Sequence, residues 1–127
     1  MEKIIKIGKH EYKMHSSAYT QFKYKNDTGR SLMDDIKEFT NKYSDMLNGN
    51  EEVFLTQIND IVETAFRLAY TMASEAGDPG ATNFESFLKD IDDYYDNPSW
   101  LNEVVELATY PFRGGIQESQ NNEQPAS

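Results

Sequence analysis

Residues Asn50–Gly77 read NEEVFLTQINDIVETAFRLAYTMASEAG. Phe54, Ile58, Ile61, Ala65, Ala69, Met72 and Ala76 recur every three or four residues, which is the period of one helical face. Leu55, Val62, Phe66 and Ala73 widen that stripe. A stripe this broad belongs to a helix with neighbours on more than one side. Asn50 is a suitable N-cap, and Glu51 and Glu52 favour the positive end of the helix dipole. Gly77 and Pro79 supply the stop. At ~1.5 Å per residue the helix is a rod of roughly 40 Å, the spine of a mainly α domain. Ala65, Ala69, Ala73 and Ala76 are small enough for another helix to approach closely, from within the chain or from a partner.

Upstream, Lys3-Ile4-Ile5-Lys6-Ile7 is β-branched and short, as a strand prefers. Gly8-Lys9 suits a two-residue II′ turn in which Gly8 takes the positive φ. That turn pairs Ile7 with His10, Ile5 with Tyr12 and Lys3 with Met14. Ile5, Ile7, Tyr12 and Met14 then share one face, and Lys6 meets Glu11 on the other. A lone hairpin is marginal in water, so residues 1–15 must lie on the helices that follow. Ser16 or Ser17 caps a short helix with Ala18, Tyr19 and Phe22 on one side, ending at Asn26-Asp27-Thr28-Gly29. Ser31 opens another helix, with Asp34 and Asp35 in its first turn as dipole partners. Leu32, Ile36, Phe39, Tyr43 and Leu47 form its apolar face, and Asn48-Gly49 ends it.

Downstream, Asn83 caps a helix with Phe84, Phe87, Leu88 and Ile91 at i, i+3, i+4 and i+7. Asn97 and Pro98 restart a helix as cap and first residue. Trp100, Leu101, Val104, Val105, Leu107 and Ala108 are its apolar residues. The chain is thus expected to form one helical domain over residues 1–113, with a short N-terminal β-hairpin and about five helices around the long one. Residues 114–127 are polar and free of aromatics, the composition of a disordered tail.

Composition narrows the function. Of 127 residues, Leu, Ile, Val and Phe make up 26, so the core is not generous and the 16 aromatics must supply much of it. There is no cysteine, which removes disulfides, thiolate metal sites and Cys nucleophiles. No apolar run approaches the ~20 residues that span a bilayer, and Met1–Met14 lacks the apolar centre of a signal peptide, so the cytosol is the default compartment. The net charge is −10, unsuited to holding phosphates by bulk charge. It is unevenly spread. Residues 1–42 carry nine bases and six acids, and residues 43–127 three bases and 16 acids, for nets of +3 and −13. Either the N-terminal element docks on an acidic body, or the charges simply form a solvated surface, or the basic end of one copy meets the acidic end of another.

No constellation supports catalysis, a metal or a cofactor. His10 and His15 are the only histidines and have no third ligand in view, so they read as turn and loop residues. A calcium loop starting at Asp90 would need Gly at the position of Tyr95 and Glu at that of Leu101. Asp34/Asp35 and Glu51/Glu52 are adjacent in sequence and do not face each other on a helix. Gly114-Gly115 lacks the Lys-Ser/Thr of a phosphate loop. What is left is a non-enzymatic, acidic binding protein.

The N-terminal third carries a resemblance. Ile5-Lys6-Ile7-Gly8-Lys9-His10-Glu11-Tyr12, a small helix with Phe22, and Thr28-Gly29-Arg30-Ser31-Leu32-Met33-Asp34-Asp35-Ile36 follow in an order that resembles the tail assembly chaperones of long-tailed bacteriophages with non-contractile tails, from Gram-positive hosts. The likeness in motif order covers residues 4–47. It implies a protein that binds the tape-measure protein and keeps it soluble until tube subunits polymerise around it. It also implies action in the cytoplasm of the infected host and absence from the mature virion. Such genes often yield a longer frameshifted product whose added part recruits the tail tube protein. This chain would be the shorter product, with its tail from Gly114 as the tether. Candidate partner contacts are the apolar residues of the C-terminal half: Phe84, Phe87, Trp100, Leu101 and Phe112, of which Phe112 is expected to be the most exposed. The competing expectation is an acidic phage inhibitor that binds a host nucleic-acid enzyme by imitating DNA. A mimic lines its carboxylates in rows, whereas a chaperone presents an apolar groove or patch.

Overall fold

The computed structural model describes residues 1–49 and 51–112. The proposed Asn50 cap and the tail 114–127 lie outside them. Two strands, β1 (Glu2–Ile7) and β2 (His10–His15), precede five α-helices: α1 (Ala18–Thr28), α2 (Leu32–Asn48), α3 (Glu51–Glu75), α4 (Phe84–Lys89) and α5 (Trp100–Thr109). A 3-10 turn, Tyr110–Phe112, follows.

The hairpin has the register that its turn dictates. Ile7 pairs with His10, Ile5 with Tyr12, Lys3 with Met14 and Lys6 with Glu11. Gly8 has φ +62 and Lys9 is not at positive φ, the signature of a II′ turn. Ile5, Ile7, Tyr12 and Met14 are buried, so the alternation puts one face on the helices. His10 and His15 are the end residues of β2, not turn and loop residues as expected. The Lys13 amide donates to Asp78 Oδ2 at 2.8 Å, which satisfies a donor at the free edge of β2.

α3 is the spine. Ile61, Ala65, Leu68, Ala69, Met72 and Ala73 are fully buried. The other four helices and β2 all pack on it. Its end is a Schellman motif: Asp78 N–H donates to the Ala73 carbonyl and Gly77 N–H to the Ser74 carbonyl, with Gly77 at φ +74. The first turns of α3 reach past their cover. Leu55 is exposed, and Phe54 is half-buried, meeting Tyr95 edge-on at 5.8 Å. The expected stripe is therefore buried over its C-terminal two thirds, with Ala76 half-buried.

α2 buries Leu32, Ile36 and Phe39 as expected, but Met46 replaces Leu47 inside. Seven residues from Phe39 return within ~20° of its direction, eight do not, so Met46 has the better phase. α4 is capped by Asn83, whose Oδ1 accepts from Ser86 N–H at 2.8 Å. α5 starts at Trp100, two residues later than expected. Asn97 Oδ1 accepts from Ser99 N–H and Leu101 N–H donates to the Pro98 carbonyl, so the entry is a tight turn ahead of the helix.

The hairpin tip is the tightest fit. A Cβ on Gly8 would stand 1.9 Å from the Asp92 carbonyl oxygen, and one on Gly29 (φ +74) would meet nothing within 4 Å. Gly8→Ala therefore combines an unfavourable φ with a backbone clash and should lower stability by about 2–4 kcal/mol in urea unfolding. Gly29→Ala should cost only about 1–2 kcal/mol. Equal costs would contradict the seating of the tip on Asp92.

Candidate partner-binding surface

α1 is held to the body by polar groups. Ser17 and Thr20 form a reciprocal capping box. Both hydroxyls then donate onward to one carboxylate, Ser17 Oγ to Glu75 Oε1 at 3.0 Å and Thr20 Oγ1 to Glu75 Oε2 at 2.9 Å. The start of α1 is thereby tied to the end of α3. At its other end, the buried Tyr24 hydroxyl donates to Asp35 Oδ2 at 2.5 Å. Arg30 Nε lies 2.9 Å from both oxygens of that carboxylate, and its Nη2 lies 2.7 Å from Oδ1. Asp35 is thus a buried anchor and not simply the dipole partner expected. Burial pushes its pKa up, but hydrogen bonds from Arg30 and Tyr24 and the charges of Arg30 and Arg67 outweigh this and hold it below the usual carboxylate range. The Tyr24 phenol moves up through burial and its bond to Asp35.

This seating decides what α1 shows to solvent. Only Thr20 and Tyr24 of α1 are buried. The face expected to carry the apolar contacts is turned outward: Tyr19 is 58% exposed and Phe22 65%, and the neighbouring Met33 of α2 is 45% exposed. Between α1 and the start of α2 runs an open groove of about 320 Å³ lined by Gln21, Phe22, Lys25, Ser31, Leu32 and Met33. Tyr19 and Asn26 extend the same ridge. Scattered apolar residues are ordinary on a protein surface, but two aromatics and a methionine gathered on one ridge make it the candidate contact surface.

The contact residues expected from the sequence lie elsewhere. Phe87, Trp100 and Leu101 are fully buried. Trp100 stacks on Phe66 with centroids 5.0 Å apart and donates from Nε1 to the Tyr94 carbonyl at 2.6 Å. Phe87 lies against Tyr12 and Tyr70. Phe84 and Phe112 are only partly buried and pack against the core, Phe84 with Tyr70 at its edge and Arg67 over its ring. Phe112 is thus not the exposed ring expected. These side chains cover the broad stripe of α3, and a partner does not reach Phe87, Trp100 or Leu101 without opening the fold.

Among the described residues, eight bases pair with nine of the acids. Lys3 meets Glu103, Lys9 meets Asp93 and Lys42 meets Asp60, so the basic N-terminal third docks on the acidic remainder. A cleft of about 300 Å³ between α2 and α3 is lined by Arg30, Asp35, Glu38, Lys42, Asp60, Glu63 and Arg67. Every charge in it has an opposite partner. Among the described residues, no cluster of His, Asp and Glu is arranged to hold a metal ion, and no helix is long and apolar enough to cross a membrane. No family model, curated protein or solved structure matches the chain.

The Asp35 anchor predicts a pH signature. Asp35→Asn should cost about 1.5–3 kcal/mol at neutral pH, the scale of hydrogen bonds to a charged group. Because the folded-state pKa is depressed, the contribution of the carboxylate is complete above its unfolded value of about 3.9 and is lost as pH falls through the lower folded value. The stability gap between wild type and variant, followed by urea unfolding, should hold from pH 7 to about 5 and close below about 4. A gap that widened on acidification would contradict the assignment.

Proposed function

We propose that this protein is a non-enzymatic tail assembly chaperone of a long-tailed bacteriophage, which binds the tape-measure protein and keeps it soluble while the tail tube assembles. The reading draws on the motif order of residues 4–47. The single observation that carries it is the outward ridge of Tyr19, Phe22 and Met33 beside an open groove. A client with long amphipathic helices exposes apolar stripes that aggregate, and a small helical protein covers such a stripe helix-in-groove. A net charge of −10 keeps the complex dispersed.

The DNA-mimic reading calls for free carboxylates in rows. Glu38, Asp60, Glu63, Asp93 and Glu103 are each engaged by a base of the same chain, which takes these five out of such a row. Self-association of basic end to acidic end loses part of its driver, because Lys3, Lys9 and Lys42 already meet acids within the chain. In the cytoplasm of the infected cell the chaperone would act before the virion is complete and would not remain in it. A longer frameshifted form would add recruitment of the tube protein.

The test is co-expression with the tape-measure protein of the same phage. A soluble complex that co-purifies through size exclusion is expected. A tape-measure protein that stays insoluble, with no complex recovered, overturns the proposal.

A further inference from the structure

Lys25 lines the groove beside Phe22, and Lys37 stands one helical turn beyond Met33 on α2. Among the described residues Lys6, Lys25 and Lys37 form no ion pair with a carboxylate, whereas Lys3, Lys9, Lys13, Lys23, Arg30, Lys42, Arg67 and Lys89 each do. Two of these three unpaired bases, Lys25 and Lys37, flank the exposed apolar ridge. Asp34 lies three residues before Lys37 on α2, and no ion pair joins them.

We propose that this ridge and groove dock an amphipathic helix of a protein partner whose apolar stripe is flanked by Asp or Glu. The inference rests on the chaperone reading and deepens it by naming the client segment's chemistry. A large apolar side chain of that helix enters between Phe22, Leu32 and Met33. Carboxylates one turn to either side reach Lys25 and Lys37, so apolar contact supplies affinity and the two lysines select acidic flanks. A negatively charged bilayer shares the local chemistry, but it presents an extended surface to the whole chain, whose −10 charge opposes it. A helix lying on the ridge is read mainly within a Debye length, about 8 Å at physiological salt.

The test uses the full chain and two synthetic helical peptides of roughly 18 residues, or five turns. They share one Leu/Phe stripe and differ only in Glu or Lys flanks. Fluorescence anisotropy should show the Glu-flanked peptide binding about tenfold or more tighter than the Lys-flanked one, with the ratio shrinking at high salt. Phe22→Ala with Met33→Ala should weaken both peptides, and Lys25→Glu with Lys37→Glu should invert the preference. The exposure of all four positions leaves the fold intact, which circular dichroism verifies. No binding, no flank preference, or indifference to these substitutions overturns the inference. So does a self-association that Phe22→Ala abolishes, or a preference for phosphatidylserine vesicles over either peptide. The two levels separate in co-expression. If wild type and the Lys25→Glu/Lys37→Glu variant solubilise the tape measure equally, the surface assignment fails and the chaperone reading stands. If wild type does not solubilise it, the chaperone reading itself fails.

Discussion

The breadth of the apolar stripe on α3 is the constraint from which the architecture follows. A helix that buries Ile61, Val62, Ala65, Phe66, Leu68, Ala69, Met72 and Ala73 needs cover on several sides at once. The hairpin supplies it with Ile5, Ile7, Tyr12 and Met14, α2 with Ile36 and Phe39, and the C-terminal segments with Phe87, Trp100, Leu101 and Val104. Phe66 shows how full the cover is, with Trp100 stacked on its face and Tyr94 against it edge-on. Most of the large apolar side chains of a chain lean in such residues are consumed in this way, with Ile4, Leu47 and Leu55 left exposed.

α1 turns two aromatics outward, and its chemistry explains why. It is fastened by carboxylates at both ends, Glu75 holding Ser17 and Thr20, Asp35 holding Tyr24. Polar fastening leaves its aromatic residues free to point outward. Burying Phe22 would gain roughly 1.5–3 kcal/mol by removing apolar area from water. The fold forgoes that gain and seats the helix through charge-assisted hydrogen bonds, each typically about 1.5–3 kcal/mol. A surface kept apolar by such an arrangement suits a protein whose work is contact with another chain.

Much of the fold was legible in the sequence because the deciding signals were local. Gly8-Lys9 with alternating flanks set the hairpin register, and the period of residues 54–73 set the spine. Ser31, Asn83 and Gly77 marked helix ends by their own side-chain or backbone chemistry. The orientation of α1 was not legible, because Thr20 and Ser17 find Glu75 more than 50 residues away. For the same reason the exposed ridge was missed, and Phe87, Trp100 and Leu101, apolar helix-face residues that also suit a core, stand as candidate partner contacts in the sequence but close the core in the fold. A usable signal was present: a short helix that mixes Thr20 and Tyr24 with Tyr19 and Phe22 has no clean apolar face, so its buried side is chosen by partners.

Hydroxyl-radical footprinting of the full chain, alone and in complex with the tape-measure protein, reads which face α1 presents and whether a client covers it. Tyr19, Phe22 and Met33 should be oxidised readily in the free chain and protected in the complex, while Phe87, Trp100 and Met72 stay protected in both. Protection of Tyr19 and Phe22 in the free chain, or a complex that leaves them as reactive as before, would contradict the account.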